Sequence, residues 1–94
     1  MSFRLIFKVA AKKEWDKIDS SIRAILKNRL IERLKKPRNE TFRLNGMKDC
    51  YKIKLRQVGY RLVYQVRDKE LVVVVVAVGK REKNLVYKRA IKRI

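Results

Sequence analysis

One short stretch, the run DCYKIKLRQVGYRLVYQV at residues 49–66, contains four cationic side chains that are expected to share one face. Lys52, Lys54 and Arg56 occupy alternate positions of its first half, and strand side chains alternate between two faces. Arg61, in the second half, joins them because the apolar residues of both halves must face the same way. Like charges side by side on a sheet repel. The stretch predicts a β-hairpin with one cationic face, and bound phosphate groups would offset the repulsion on that face.

A solvated sheet face in a chain rich in Lys and Arg is the alternative, and composition alone favours neither interpretation. Two features favour phosphate binding. Arg81 lies just beyond the next predicted strand, close to Gly79, where the backbone can approach a ligand. Tyr87 follows within the next few residues, although its spacing with Ile91 and Ile94 also fits a buried helical stripe.

The overall charge of the chain indicates which class of molecule it binds. The 94 residues, expected to form one domain over residues 1–94, carry 27 Lys and Arg against 9 Asp and Glu, a formal net charge of +18. Charge of this size opposes folding by self-repulsion and is typical of proteins that bind a polyanion, above all nucleic acid. A membrane surface is the weaker alternative, because no segment resembles a lipid-facing helix.

Several kinds of site are excluded by composition. The chain has no histidine, which excludes a histidine general base and zinc sites of the Cys/His type, and it shows no carboxylate cluster for a metal ion. We therefore expect no cofactor. Cys50 is the single cysteine, so no internal disulfide forms, as expected for a cytoplasmic protein, and we expect a small half-buried strand residue rather than a nucleophile. No secretory signal is evident, and the longest apolar run, Leu71 to Val78, is too short to cross a bilayer as a helix.

The elements that must position the cations follow from hydrophobic periodicity and from turn residues. In chain order we predict a strand at Phe3–Lys8, a helix at Ala10–Ile18, a helix capped by Asp19 with an apolar stripe from Ile22 to Leu34, a short edge strand at Thr41–Leu44, the hairpin, a central strand at Leu71–Val78 ended by Gly79, and a helix from Asn84 to Ile94. Lys35-Lys36-Pro37 ends the second helix.

This order indicates an α+β fold: a small antiparallel sheet, two N-terminal helices packed on one face, and a short C-terminal helix. The unbroken valine run is typical of a strand buried on both faces. Since a one-residue slip of the hairpin would bury lysines, we expect Lys52, Lys54, Arg56 and Arg61 to share the face away from the helices.

The whole chain resembles the bacterial RelE toxins, ribosome-dependent mRNA endonucleases of type II toxin–antitoxin pairs. The similarity is strongest in GMKDCYKIKLR, in GYRLVYQV, and in VGKRE followed by VY and KRI. It implies that the catalytic surface is formed by lysines, arginines and one tyrosine, here Lys52, Lys54, Arg61, Arg81 and Tyr87. It also implies the β-α-α-β-β-β-α fold. The gyrase-directed ParE relatives share that fold but lack this set of residues.

The resemblance implies metal-independent cleavage by the ribose 2′-hydroxyl, giving a 2′,3′-cyclic phosphate and a 5′-hydroxyl end. Lys54 is expected to be the general base, because neighbouring cations lower the pKa of an amine. Arg61 and Lys52 then hold the phosphate, Arg81 faces the leaving oxygen, and Tyr87 orients the base or assists proton transfer. Arg56 and Lys80 are expected to contact RNA.

The implied partners are mRNA and the 16S and 23S rRNA of the 70S ribosomal A site, together with a RelB-like antitoxin. The toxin–antitoxin complex is expected to bind operator DNA through the antitoxin, and no membrane is involved. Two other functions stay open on the residues alone. One is a non-catalytic basic RNA- or ribosome-binding protein, and the other, less favoured, is a gyrase inhibitor of the ParE type.

Overall fold

The computed structural model describes residues 2–94. Its elements are β1 (Arg4–Phe7), α1 (Val9–Asp16), α2 (Ser20–Lys35), a 3-10 turn (Glu40–Phe42), β2 (Cys50–Leu55), β3 (Tyr60–Arg67), β4 (Val72–Lys80) and α3 (Leu85–Arg93). The predicted α+β class and element order are confirmed. Over residues 2–94, none of the helices has the length and apolar character needed to span a bilayer.

The four strands form one sheet in the order β1-β4-β3-β2. β2, β3 and β4 form the expected antiparallel meander, whereas β1 lies parallel to β4, with Arg4 opposite Val72 and Phe7 opposite Val75. The expectation of a wholly antiparallel sheet is therefore wrong at this one strand. The physical reason is the long connection through α1 and α2, which carries the chain to the far edge and lets the meander return beside β1.

Helix and strand ends agree with most of the local signals. Asp19 caps α2 by accepting from the backbone N–H of Ser21, and the helix ends at Lys35 before the proline. Three details differ. Gly79 does not end β4, which continues to Lys80; the predicted edge strand is a 3-10 turn with one isolated bridge between Arg43 and Tyr51; and Asn84 precedes α3 without making a side-chain cap.

Both faces of the sheet carry a hydrophobic core. α1 and α2 cover one face, where Leu26 and Leu30 are fully buried. α3 covers part of the other face through Val86 and Ala90, which pack with Val63 and neighbouring residues of β4. As the valine run predicted, β4 is central and buried on both faces. The expectation that the cationic face lies away from the helices is wrong for α3, which lies beside it.

Candidate active site

Strand register brings the cations of the hairpin together. Lys54 lies directly opposite Arg61 in the β2–β3 pair, and Arg61 lies opposite Gly79 in the β3–β4 pair. Directly opposed residues of an antiparallel pair have Cα atoms about 4.5–5.5 Å apart and share one face of the sheet. Lys52 lies two residues before Lys54 on the same strand and therefore on the same face. Lys52, Lys54 and Arg61 thus form one cluster, as the sequence predicted.

A small cleft extends this cluster towards α3. Its lining residues are Arg61, Lys80, Arg81, Glu82, Asn84, Leu85, Val86 and Tyr87. The backbone N–H of Arg81 donates to the carbonyl of Gly59 at 2.6 Å, which ties the segment before α3 to the hairpin turn. Gly59 has φ +68, the left-handed conformation that glycine adopts without strain. The hairpin turn therefore fixes where Arg81 lies.

Gly79 has a different role from the one predicted. It lies within β4 under α3, where an added Cβ would be 3.5 Å from Cγ2 of Val86. The contact is with the helix rather than with a free space for a ligand. This glycine therefore serves the packing of α3 on the sheet next to Arg61.

Two buried polar atoms of the cleft are unpaired. Nη1 of Arg61 and the hydroxyl of Tyr87 are both shielded from solvent, and neither has a hydrogen-bond partner among residues 2–94. Buried polar groups are costly unless they are hydrogen-bonded, and both of these atoms are donors, so each of them lacks an acceptor.

Crowding changes the acidity of Lys54. The charge of Lys52 is the largest cause that lowers the pKa of the Lys54 amine, followed by burial and by the charge of Arg61. Hydrogen bonding to Lys52 and the charge of Arg56 act in the same direction. The amine of Lys54 therefore gives up its proton more readily than an ordinary lysine, as a general base requires.

Burial has the opposite effect on the Tyr87 phenol. It raises the pKa of Tyr87, and the charge of Arg61 offsets this only in part, so the hydroxyl stays protonated at neutral pH. The alternative stripe of Tyr87 with Ile91 and Ile94 is wrong, because those two isoleucines are 56% and 44% exposed and the buried residues of α3 are Val86 and Ala90. A protonated, half-buried tyrosine beside an arginine is suited to donating a hydrogen bond.

On the other side of Lys54 a wider groove of about 480 Å³ separates β2 from α2. Lys54, Arg56 and Arg29 of α2 are among its lining residues, so Arg56 belongs to this groove and not to the cleft. Arg33, one turn after Arg29, donates to the carbonyl of Lys52 at 3.1 Å and supports the exposed edge of β2. The sequence shows both arginines on one side of α2, but nothing in it places α2 beside β2.

The remaining candidate chemistry is limited. Cys50 is fully buried rather than half-buried, and burial is the main cause that raises its pKa to about 11, so the thiol is not a nucleophile at neutral pH. Across residues 2–94, no group of three or more His, Cys, Asp or Glu side chains is placed to hold a metal ion. The chemistry of the site therefore depends on amines, guanidinium groups and one phenol.

Known proteins with similar sequences cover the whole chain. A family model described as the ParE toxin of type II toxin–antitoxin systems matches residues 5–85. The mRNA interferase toxin RelE of Escherichia coli K12 is 55% identical over 94 residues, which is 100% of this chain and 99% of that protein. The mRNA interferase RelE of Shigella flexneri is equally similar.

Solved structures of the E. coli toxin RelE superpose closely on this chain. A double mutant of the E. coli toxin RelE in the free state superposes with a TM-score of 0.92 at 54% identity, covering 100% of this chain and 99% of that one. RelE in the intact E. coli RelBE toxin–antitoxin complex gives a TM-score of 0.84 at 54% identity, covering 87% of this chain and 100% of that one. The fold around the cationic cluster is therefore the fold of these toxins.

Proposed function

The chain belongs to the ParE toxin family of type II toxin–antitoxin systems, among its RelE members, and on that basis we propose that it is an mRNA interferase toxin. The reaction is cleavage of mRNA in the ribosomal A site, which stops translation. The single observation that carries the proposal is the juxtaposition of Lys54, its pKa lowered by neighbouring cations, with Arg61 at the mouth of the cleft.

RNA carries its own nucleophile, and the site has to activate it. The ribose 2′-oxygen attacks the adjacent phosphorus, the bond from phosphorus to the 5′-oxygen breaks, and the products are a 2′,3′-cyclic phosphate and a 5′-hydroxyl. One proton leaves the 2′-hydroxyl and one is given to the departing 5′-oxygen. General acid–base catalysis contributes about 10²–10⁴-fold, and fixed positive groups at the developing charge often contribute more.

Lys54 is the general base in this proposal. It takes the 2′ proton on Nζ, for which it must be neutral, and the cations that surround it favour the neutral form. The repulsion among Lys52, Lys54 and Arg61, which is unfavourable for folding, is thus what activates the amine.

Arg61 and Lys52 bind the phosphate and the negative charge that grows on its oxygens. The position of Arg61 opposite Lys54 supports this role, since a guanidinium group can donate two parallel hydrogen bonds to a phosphate. Arg81 faces the leaving 5′-oxygen, as a proton donor or as a fixed positive charge in its place. Tyr87, protonated and next to Arg61, orients the nucleotide or takes part in that proton transfer.

The ribosome supplies what an all-cation site lacks. An A site that holds the message in an attack-ready conformation lowers the barrier by up to about 7–11 kcal/mol, which explains how a weak base suffices. Exposed cations around the site, including Arg56 and Lys80, contact the phosphates of mRNA and of 16S and 23S rRNA in this proposal. The formal net charge of +18 supports such an interface.

We also propose an antitoxin partner. The similar RelE of the solved RelBE complex is bound to its antitoxin, and an acidic segment would complement the charge of this chain. The toxin–antitoxin complex then binds operator DNA through the antitoxin. The proposal places the protein in the cytoplasm, where ribosomes are. It also takes residues 1–94 as one toxin domain, which is supported by the single sheet and the helices packed on it in residues 2–94.

Replacing Lys54 by alanine tests the proposal. On ribosomes stalled with a defined A-site codon, the wild-type protein should cut the message within that codon and leave a cyclic phosphate, as end-mapping and end chemistry show. Lys54→Ala should bind and stay folded but lose about 10²–10⁴-fold in rate. Lys69→Ala, in the exposed turn after β3, is the matched control. Cleavage by folded Lys54→Ala at the wild-type rate would eliminate Lys54 as the base.

The same assay separates the other two functions. A non-catalytic ribosome-binding protein would occupy the ribosome and leave the message intact, which toeprinting detects. A gyrase inhibitor deserves one direct test, because the matching family model is the one named for ParE toxins. Inhibition of DNA supercoiling by the purified protein, with no cleavage of mRNA, would replace the proposed function with that one.

A further inference from the structure

Within residues 2–94, no strand lies beside the second half of β4 on the β1 side. β1 pairs only with Val72–Val75, and the N–H of Lys8 donates to the carbonyl of Val75 at 3.0 Å before the chain enters α1. Backbone groups beyond that point need other partners. Glu14 of α1 accepts from the N–H of Val78 at 3.3 Å, and Arg93 of α3 donates to the carbonyl of Val76 at 2.9 Å.

The same two side chains bind each other. Arg93 Nη1 donates to Glu14 Oε1 at 2.8 Å and Arg93 Nη2 to Oε2 at 3.0 Å, while Arg89 Nη1 donates to Oε2 at 3.1 Å. The side chains of Glu14 and Arg93 are only 17% and 21% exposed, so solvent screens this interaction weakly. We call Glu14, Arg89 and Arg93 the Glu14 clamp. It joins α1, the edge of β4 and the last turn of α3.

The local sequence of α3 stabilises this helix only weakly. It has nine residues, four of them Lys or Arg and none acidic, and Asn84 gives it no side-chain cap. Isolated helices shorter than about 12 residues are marginal in water. Among residues 2–94, Glu14 is the only carboxylate within ion-pair distance of α3. The helix is therefore attached by the packing of Val86, Ala90 and the partly buried Tyr87 in the second core, and by the polar contacts of the clamp.

We infer that Glu14 is a positioning residue for the cleavage reaction: through Arg93 and Arg89 it fixes α3 on the sheet and so holds Tyr87 beside Arg61. Glu14 does not line the cleft and touches no reacting group, so its effect on the reaction is indirect. The inference rests on the proposed function for the role of Tyr87.

Glu14→Gln is the informative substitution, because it keeps the size of the side chain and one acceptor oxygen but removes the charge and one side of the fork. A misplacement of about 1 Å can cost 10²-fold in rate. We expect single-turnover cleavage on programmed ribosomes to fall by about 10- to 100-fold, with ribosome affinity essentially unchanged. Asp16→Asn is the matched control, since Asp16 lies on the same helix in an exposed pair with Lys12.

Two readouts distinguish positioning from general destabilisation. Hydrogen exchange of the backbone amides of residues 85–93, measured without ribosomes, should accelerate in Glu14→Gln and not in Asp16→Asn. In a double-mutant cycle, Glu14→Gln should cost much less in a Tyr87→Phe background than in the wild type. Arg93→Lys, which keeps the charge but loses the fork, should reproduce both effects and replaces Glu14→Gln if that variant does not fold.

Unchanged exchange in α3, or an equal loss of rate in the Tyr87→Phe background, would overturn the inference. The proposed function can fail separately. Full cleavage by Tyr87→Phe would discard the role given to Tyr87. The hydrogen-exchange rates of the ribosome-free protein test separately whether Glu14 fixes α3 on the sheet.

Discussion

Replacing Lys52 by glutamine removes the charge that contributes most to the lowered pKa of Lys54. The two lysines are alternate residues of β2, so their Cα atoms are about 6.6 Å apart. Hydrogen bonding between the two amines brings their charges closer together than the Cα atoms. At a separation of about 4 Å, two unit charges repel by about 1 kcal/mol in bulk water and by about 4 kcal/mol at the effective dielectric of about 20 found near protein surfaces. The neutral fraction of Lys54 near pH 7 should fall accordingly, which corresponds to a loss in rate between about 5-fold and about 900-fold.

The assay is single-turnover cleavage on saturating, codon-programmed ribosomes between about pH 6 and pH 9. The rate of the wild type should rise with pH until Lys54 is neutral, and the Lys52→Gln variant should follow the same curve displaced to higher pH. The deficit of the variant should therefore shrink as the pH rises. Lys52→Arg keeps the charge and should retain the wild-type profile, which makes it the control.

Two outcomes would refute this reasoning. A deficit that stays constant over the whole pH range would mean that Lys52 binds phosphate but does not tune Lys54. A pH profile that survives in Lys54→Ala would mean that another group, or hydroxide itself, takes the 2′ proton.

Two further predictions concern salt and acid. Ribosome affinity should fall steeply with salt, and alanine at Arg56 or Lys80 should reduce the slope of log affinity against log salt by about one each, as salt titrations of binding would show; a flat profile would contradict the phosphate contacts. Burial tends to raise the pKa of Glu14, but hydrogen bonds from Arg93 and the Val78 N–H lower it overall. The charged Glu14 therefore stabilises the fold fully above its ordinary pKa of 4.5, and this stabilisation is lost as the pH falls through the lowered pKa of the folded protein. Denaturation of Glu14→Gln at several pH values should show a weaker loss in acid than in the wild type, and equal slopes would argue against the clamp.

Local signals were sufficient for much of the fold. The apolar stripe that contains Leu26 and Leu30, with Asp19 before it and the proline after it, determines α2 because capping and helical periodicity act within a few residues. The valine run likewise identified the central strand β4. The end of β4 at Lys80 and the 3-10 turn at Glu40–Phe42 were missed, since these depend on which neighbour supplies the hydrogen bonds.

The proposed catalytic set was available from the sequence only through the resemblance to RelE toxins. Alternation placed Lys52, Lys54 and Arg61 on one face, and the register of β2 and β3 confirms it. The cleft formed with Arg81 and Tyr87 depends on where α3 packs. Periodicity within α3 gave the wrong buried stripe, because a nine-residue helix offers too few positions to identify its inner face.

The net charge, the order of elements and the alternation that puts amines on one face of a hairpin can be read from the chain, because each depends on residue type and on neighbours along the chain. The parallel pairing of β1 with β4, the position of Arg29 and Arg33 of α2 at the edge of β2, and the contact of Glu14 with Arg93 across 79 positions of sequence appear only in the folded molecule. The physical reason is that contacts between distant segments follow from how the faces of all the elements pack together, and no local pattern encodes that packing.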